Sequence, residues 1–130
     1  RIITLFGCGG DRDRGKRPLM GEASVELSDY VIVTSDNPRS EDPEKIIEEV
    51  EDGIKSAMLG GKARAAGYRC ITDRRSAIEE AINMAEKGDL VIIAGKGHEC
   101  HQIIGGDRLH FDDKEEAREA VRKRKLWMGG

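Results

Sequence analysis

Three runs of mostly apolar residues, Ile2–Phe6, Tyr30–Thr34 and Leu90–Ala94, are separated by stretches whose apolar residues recur every three or four positions. A strand that is apolar at successive positions has no face to offer water, so it must lie in a sheet covered on both sides. Helical segments between such strands supply the crossovers that parallel pairing needs. The pattern predicts an α/β fold, a mostly parallel sheet with helices on both faces.

The first helix is expected around Pro18, a residue tolerated in an opening turn, with Leu19, Met20, Ala23 and Leu27 as its apolar face. Asp42-Pro43 is a strong start for a second helix, a carboxylate at the N-cap and proline at the first position. Its expected buried stripe is Ile46, Ile47, Val50, Ile54 and Met58. Tyr68–Ile71 reads as a weaker strand, followed by a third helix capped by Asp73 and lined by Ala77, Ile78, Ala81, Ile82 and Ala85, with Gly88 ending it in the left-handed conformation. Gln102–Ile104 and Arg108–Phe111 flank Gly105-Gly106-Asp107 as a hairpin, expected to add an antiparallel edge. Asp112 with Glu115 resembles a capping box opening a last helix through about Lys125. The Trp127–Gly130 tail is expected to fray, unless Trp127 packs on the domain or on neighbouring chain.

A length of 130 residues fits one domain, here residues 1–130, and no repeat or linker divides it. The formal net charge of −3 argues against generic nucleic-acid binding, which wants a basic excess. No apolar run approaches the roughly 20 residues of a membrane span. Cys8, Cys70 and Cys100 are odd in number and widely spaced, as expected for a reducing cytoplasm. His98, Cys100 and His101 crowd together without the spacing of a known metal motif, so no metal site is expected. The chain starts at Arg1 directly into a strand, which reads as a segment of a longer protein.

In a parallel sheet the loops that follow the strands gather at one end, where α/β domains bind ligands. The second loop carries Asp36-Asn37-Pro38-Arg39. A guanidinium on a turn made rigid by proline offers a planar fork of donors that matches a carboxylate. The first loop, Gly10 to Arg17, fits the phosphate-loop pattern G-x-x-x-x-G-K but has Arg17 where a magnesium-binding hydroxyl is required, and Asp11 and Asp13 would repel phosphate. Contact of Arg12, Lys16 or Arg17 with an anion or amino acid fits it better, and a merely solvated loop stays open. The third loop, Gly95-Lys96-Gly97-His98-Glu99, exposes backbone between glycines and offers one carboxylate. His98 reads equally well as a structural hydrogen-bonding residue. Cations facing a carboxylate suit a ligand that bears both an ammonium and a carboxylate.

Phe6–Met20, Thr34–Pro43, Ala94–Glu99, Gln102-Ile103-Ile104-Gly105 and Phe111-Asp112-Asp113 together, in this order, resemble the C-terminal domain of the Mur ligases over nearly the whole chain. Within that family the Asp-Asn-Pro-Arg motif resembles the members that add meso-diaminopimelate to UDP-N-acetylmuramoyl-L-alanyl-D-glutamate, a peptidoglycan precursor. Cys100-His101 departs from the family's commoner Asp-Tyr. The resemblance implies a Rossmann-like domain of a three-domain, cytoplasmic, ATP-dependent amide ligase. It implies that Asp36, Asn37, Pro38 and Arg39, with Arg12, hold the distal end of the diamino acid, and that Gly95 and Glu99 receive its ammonium. ATP, Mg²⁺ and the UDP substrate would belong mainly to the other domains. Lys16 would face the nucleotide on closure, no catalytic residue would lie in this chain, and the chain alone would be inactive. Two other readings of the residues remain: a stand-alone amino-acid-binding module, and a small nucleotide-binding enzyme using Gly10–Lys16.

Overall fold

The computed structural model describes residues 1–127, with Trp127 described by its backbone alone, so the expectation for the tail lies outside the described residues. The elements run β1 (Ile2–Cys8), α1 (Lys16–Leu27), β2 (Tyr30–Ser35), α2 (Pro43–Leu59), β3 (Gly67–Cys70), α3 (Arg74–Met84), β4 (Leu90–Ala94), β5 (His101–Ile104), β6 (Asp107–His110) and α4 (Asp113–Trp127). The main sheet is parallel throughout, in the order β3-β2-β1-β4. Phe6, Val31 and Val33 pack against Val25 of α1 and the stripe of α2, while Ile3, Leu5 and Ile32 pack on the other face against α3 and α4. Both faces of β1 and β2 are therefore covered, as their apolar sequence requires; β4, expected to be covered as well, is not covered on one face.

The chain steps outward from β1 to β2 and β3, then returns to the other side of β1 to form β4. The crevice beyond the carboxyl ends of β1 and β4 is thus the topological switch point, where open α/β sheets take their ligands.

Helix starts follow their caps. The Asp42 carboxylate accepts from Glu44 N at 2.9 Å, and that of Asp73 from Ser76 N at 3.0 Å. Asp112 caps α4 through Lys114 N and Glu115 N, but Glu115 does not reach back to complete a capping box; its carboxylate binds His110 at 2.8 Å instead. α3 stops at Met84, and the left-handed Gly88 lies beyond it, in the turn before β4.

The expected face of α1 is not the buried one. Leu19, Met20 and Leu27 are exposed, while Arg17, Gly21 and Val25 are buried. The reason is how closely α1 meets α2. A Cβ on Gly21 would lie 2.1 Å from Val50 O, and one on Gly53 would lie 1.8 Å from Pro18 O. Two glycines bring the backbones together, so the small-residue face of α1 turns inward and its larger apolar residues turn out. Met20 and Leu27, with Ile2, Phe6 and Ile92, line an apolar groove of about 390 Å³ beside β4. This face of β4 is accordingly uncovered, with Leu90 and Ile92 exposed.

β5 and β6 form an antiparallel hairpin as a two-stranded sheet of their own. It does not extend the main sheet. It lies against the loop after β2, where Arg39 and Ile104 form an isolated parallel bridge.

Candidate functional site

The loop after β2 is held from two sides. Gly10 N donates to Asn37 O at 2.7 Å from the first loop. Arg39 N donates to Ile103 O at 3.0 Å and Gly105 N to Arg39 O at 2.7 Å, both from the hairpin. Gln102 Nε2 donates to Asp36 O at 2.8 Å, and Ile103 N to Asn37 Oδ1 at 2.8 Å. Pro38 is buried, and its carbonyl accepts from Glu41 N at 3.0 Å. These bonds hold Arg39 at φ +53°, a left-handed conformation uncommon for any residue but glycine, asparagine or aspartate. Strain of this kind persists where the surroundings over-determine it, and it clusters at binding sites.

The Arg39 guanidinium is only partly engaged. Nη1 donates to Gly10 O at 2.9 Å and to Asn37 O at 3.3 Å. Among the described residues no carboxylate pairs with it. Gly9 stands at its side: a Cβ there would be 3.0 Å from Arg39 Nη1 and 3.5 Å from Arg12 Cγ. The absent side chain of Gly9 is what lets two arginines stand together. Arg12 is exposed and, among the described residues, donates only to Asp11 O, at 3.2 Å.

At the switch point lies a cavity of about 340 Å³, lined by the end of β1, by Arg12, Asp13, Lys16 and Asp36, and by Gly95 at φ +114°. That volume is within the usual range for small-molecule sites. Of the sequence-predicted residues, the structure brings Arg12, Lys16, Arg17, Asp36 and Gly95 to this cavity, with Arg39 against its Gly9 wall. Asn37, Pro38 and Glu99 are not in its lining. Glu99 is exposed and meets Asn37 Nδ2 at 3.4 Å and His101 Nε2 at 3.8 Å. His98 is exposed, and among the described residues no three His, Cys, Asp or Glu side chains converge as a metal would need.

Arg17, read from sequence as a possible ligand contact, is a structural residue. It is 1% exposed and donates to Glu41 at 2.7 and 3.1 Å, to Glu49 at 2.9 Å and to Gly9 O at 2.9 Å. The hydrogen bonds from Arg17, together with one from Asp11 N, hold the Glu41 carboxyl down at about 2. The first loop also fails as a phosphate cradle. Asp11 N donates to Glu41 Oε2 at 2.6 Å and Gly15 N to Asp13 Oδ1 at 2.9 Å, so backbone donors that would meet a phosphate are already taken by carboxylates.

Two supports escaped the sequence reading. Arg74 is buried, bonded to Asp113 through Nε at 2.8 Å and Nη2 at 2.7 Å, and it also donates to Ser35 O at 3.2 Å and Ala94 O at 3.3 Å. One guanidinium thus joins the strand ends from which the second and third loops spring. Lys96, also buried, lies 2.8 Å from Asp36 Oδ1 and donates to Asn37 Oδ1 at 3.2 Å and His101 O at 2.8 Å. A helix-starting arginine and a lysine between two glycines look solvated in sequence; the acidic doublet Asp112-Asp113 and the paired glycines were the only hints.

Comparison with known proteins adds four matches. The family model described as Mur ligase, glutamate ligase domain, matches residues 1–97. The UDP-N-acetylmuramoyl-L-alanyl-D-glutamate--2,6-diaminopimelate ligase of Alkaliphilus oremlandii is 55% identical over 126 residues, 97% of this chain and 24% of that protein. The ligase of the same name from Clostridioides difficile is 53% identical over 123 residues, 95% of this chain and 24% of that protein. A solved structure of a UDP-N-acetylmuramoyl-L-alanyl-D-glutamate--2,6-diaminopimelate ligase matches with a TM-score of 0.84 and 48% identity, covering 95% of this chain and 24% of that one. The chain spans about a quarter of the length of the relatives it matches. With the family model matching well over half of its residues, and with the parallel sheet and switch-point cavity described above, the chain belongs to the Mur ligase family, as its glutamate ligase domain.

Proposed function

We propose that this chain is the C-terminal domain of a ligase that joins meso-diaminopimelate to UDP-N-acetylmuramoyl-L-alanyl-D-glutamate, and that it selects and presents the incoming diamino acid. Arg39 and Arg12 receive the distal carboxylate, with the Asp36-Asn37-Pro38 turn fixing Arg39 in place. Gly95 and Glu99 receive the distal ammonium. The observation that carries this reading is Arg39 itself: partly buried, bonded only to carbonyls, without a carboxylate partner among the described residues, and beside a second arginine. The names of the relatives support the substrate assignment.

The selectivity follows from the physics. Lysine lacks the distal carboxylate and would leave Arg39 desolvated and unpaired, whereas breaking a buried ion pair costs about 3–5 kcal/mol. ATP and Mg²⁺ belong to parts of the ligase outside this chain, because the carboxylate-filled first loop does not fit a nucleotide phosphate. Lys16, exposed, at the cavity and without an ion-pair partner among the described residues, faces the nucleotide when the domains close. A cytoplasmic location accords with a substrate carrying a uridine nucleotide. The reading is tested by ligation assays on the full-length protein with meso-diaminopimelate and L-lysine side by side. Strong preference for diaminopimelate is expected; equal use of lysine would overturn the assignment.

A further inference from the structure

We infer that Lys96 is a positioning residue for diamino-acid recognition, one that fixes how both Asp36 and Asn37 face the ligand. Lys96 is 2% exposed, and its ammonium has three oxygens around it: Asp36 Oδ1 at 2.8 Å, Asn37 Oδ1 at 3.2 Å and His101 O at 2.8 Å. Asn37 is itself 3% exposed, and its Oδ1 accepts a second bond from Ile103 N at 2.8 Å. With two donors on one side of the amide, only one flip is possible: the oxygen points at Lys96 and the Nδ2 group points the other way, toward Glu99 at 3.4 Å. Asn37 is thereby set to donate on the Glu99 side.

The same ammonium orients Asp36. Its Oδ1 is buried and, among the described residues, has no hydrogen-bond partner, so the 2.8 Å contact with Lys96 is what compensates it. Its Oδ2 lies 3.8 Å from where a Gly95 Cβ would stand, on the side of the cavity that both residues line. Removing the ammonium would leave a buried Asp36 carboxylate oxygen uncompensated and would take from the Asn37 amide one of the two donors that fix its orientation, leaving Ile103 N alone to hold it. The charge also ties the third loop to the second through Asp36 and Asn37, and to the start of β5 through His101 O. Lys96 touches no ligand atom in this account; it acts through Asp36 and Asn37.

The inference rests on the diaminopimelate reading, so its test must separate the two. In the full-length ligase, Lys96→Met is expected to raise KM for meso-diaminopimelate about tenfold or more and to narrow the preference over lysine, with KM for ATP nearly unchanged. Asn37→Asp keeps an oxygen toward Lys96 and Ile103 N but places a second one toward Glu99, and it is expected to raise the same KM if Lys96→Met is not recovered folded. A variant in which kcat and thermal midpoint fall together while KM for diaminopimelate and the preference over lysine stay at wild-type values would overturn the role of Lys96. Unchanged kinetics in Lys96→Met, or in Asn37→Asp where that variant stands in for it, would do the same. If the wild-type enzyme shows no preference for diaminopimelate at all, the functional reading fails first.

Discussion

Arg39 Nη1 donates to the carbonyl of Gly10 at 2.9 Å, and Gly10 N returns a 2.7 Å bond to Asn37 O, two residues before that arginine. This exchange locks the first and second loops into one unit and spends only part of the guanidinium. The remaining donors are what a carboxylate would meet. Arg17, by contrast, has both terminal nitrogens taken by Glu41, Glu49 and Gly9 O. Two arginines in neighbouring loops therefore have opposite duties, one holding the scaffold and one left for a guest.

Neighbouring glycines in the first loop should respond differently to alanine. A Cβ on Gly10 would lie 1.8 Å from Pro38 O, a backbone atom, so Gly10→Ala must shift the loop and is expected to cost about 1–3 kcal/mol in stability. A Cβ on Gly9 meets the far end of the Arg39 side chain at 3.0 Å, which can move. Gly9→Ala is expected to leave stability within about 1 kcal/mol and to raise KM for diaminopimelate by pushing Arg39 away from Arg12. Urea unfolding and steady-state kinetics check the pair; equal destabilisation by both would contradict it.

Asp113 is expected to matter more for stability than its place at the start of α4 suggests. Asp113→Ala leaves the Arg74 guanidinium buried without its anion, and such a break costs about 3–5 kcal/mol. Replacing both partners by apolar residues should cost less than this single change. Urea unfolding of the 130-residue chain checks the order of the variants.

The Arg17 anchor should fail in acid. The folded Glu41 carboxyl sits at about 2, held down by hydrogen bonds from Arg17 and Asp11 N. Burial pushes Glu49 up, but its bonds with Arg14 and Arg17 outweigh that and leave it lowered. Because the folded values lie below the unfolded ones, this stabilisation is complete above the ordinary carboxylate range and is lost as pH falls from about 4.5 through about 2. Stability of the wild type and Glu41→Gln should converge across that window. A gap that stays constant from neutral pH to pH about 2 would contradict the assignment.

Much of this was legible in the chain because local chemistry and fold agree. Asp42-Pro43 and Asp73 start helices wherever they are placed, since a carboxylate before free N–H groups is favourable without tertiary help. Continuous apolar strands leave few alternatives to a covered parallel sheet. The failures share another cause: contacts between elements distant in sequence. The face of α1 was misread because Gly21 and Gly53 set a close crossing with α2 that outweighs the larger exposed side chains. Arg17, Arg74 and Lys96 look like surface cations until Glu41 and Glu49, Asp113, or Asp36 and Asn37 arrive from other elements. Which cation is structural and which is free for a ligand is decided by the pairing, and pairing is tertiary.

The central claim, that the Arg39 guanidinium takes the distal carboxylate of meso-diaminopimelate, is tested most directly by kcat/KM of Arg39→Ala in the full-length ligase. With meso-diaminopimelate it should fall about a hundredfold or more, while KM for ATP holds and use of L-lysine does not worsen. Wild-type kcat/KM for meso-diaminopimelate in that variant would contradict the account.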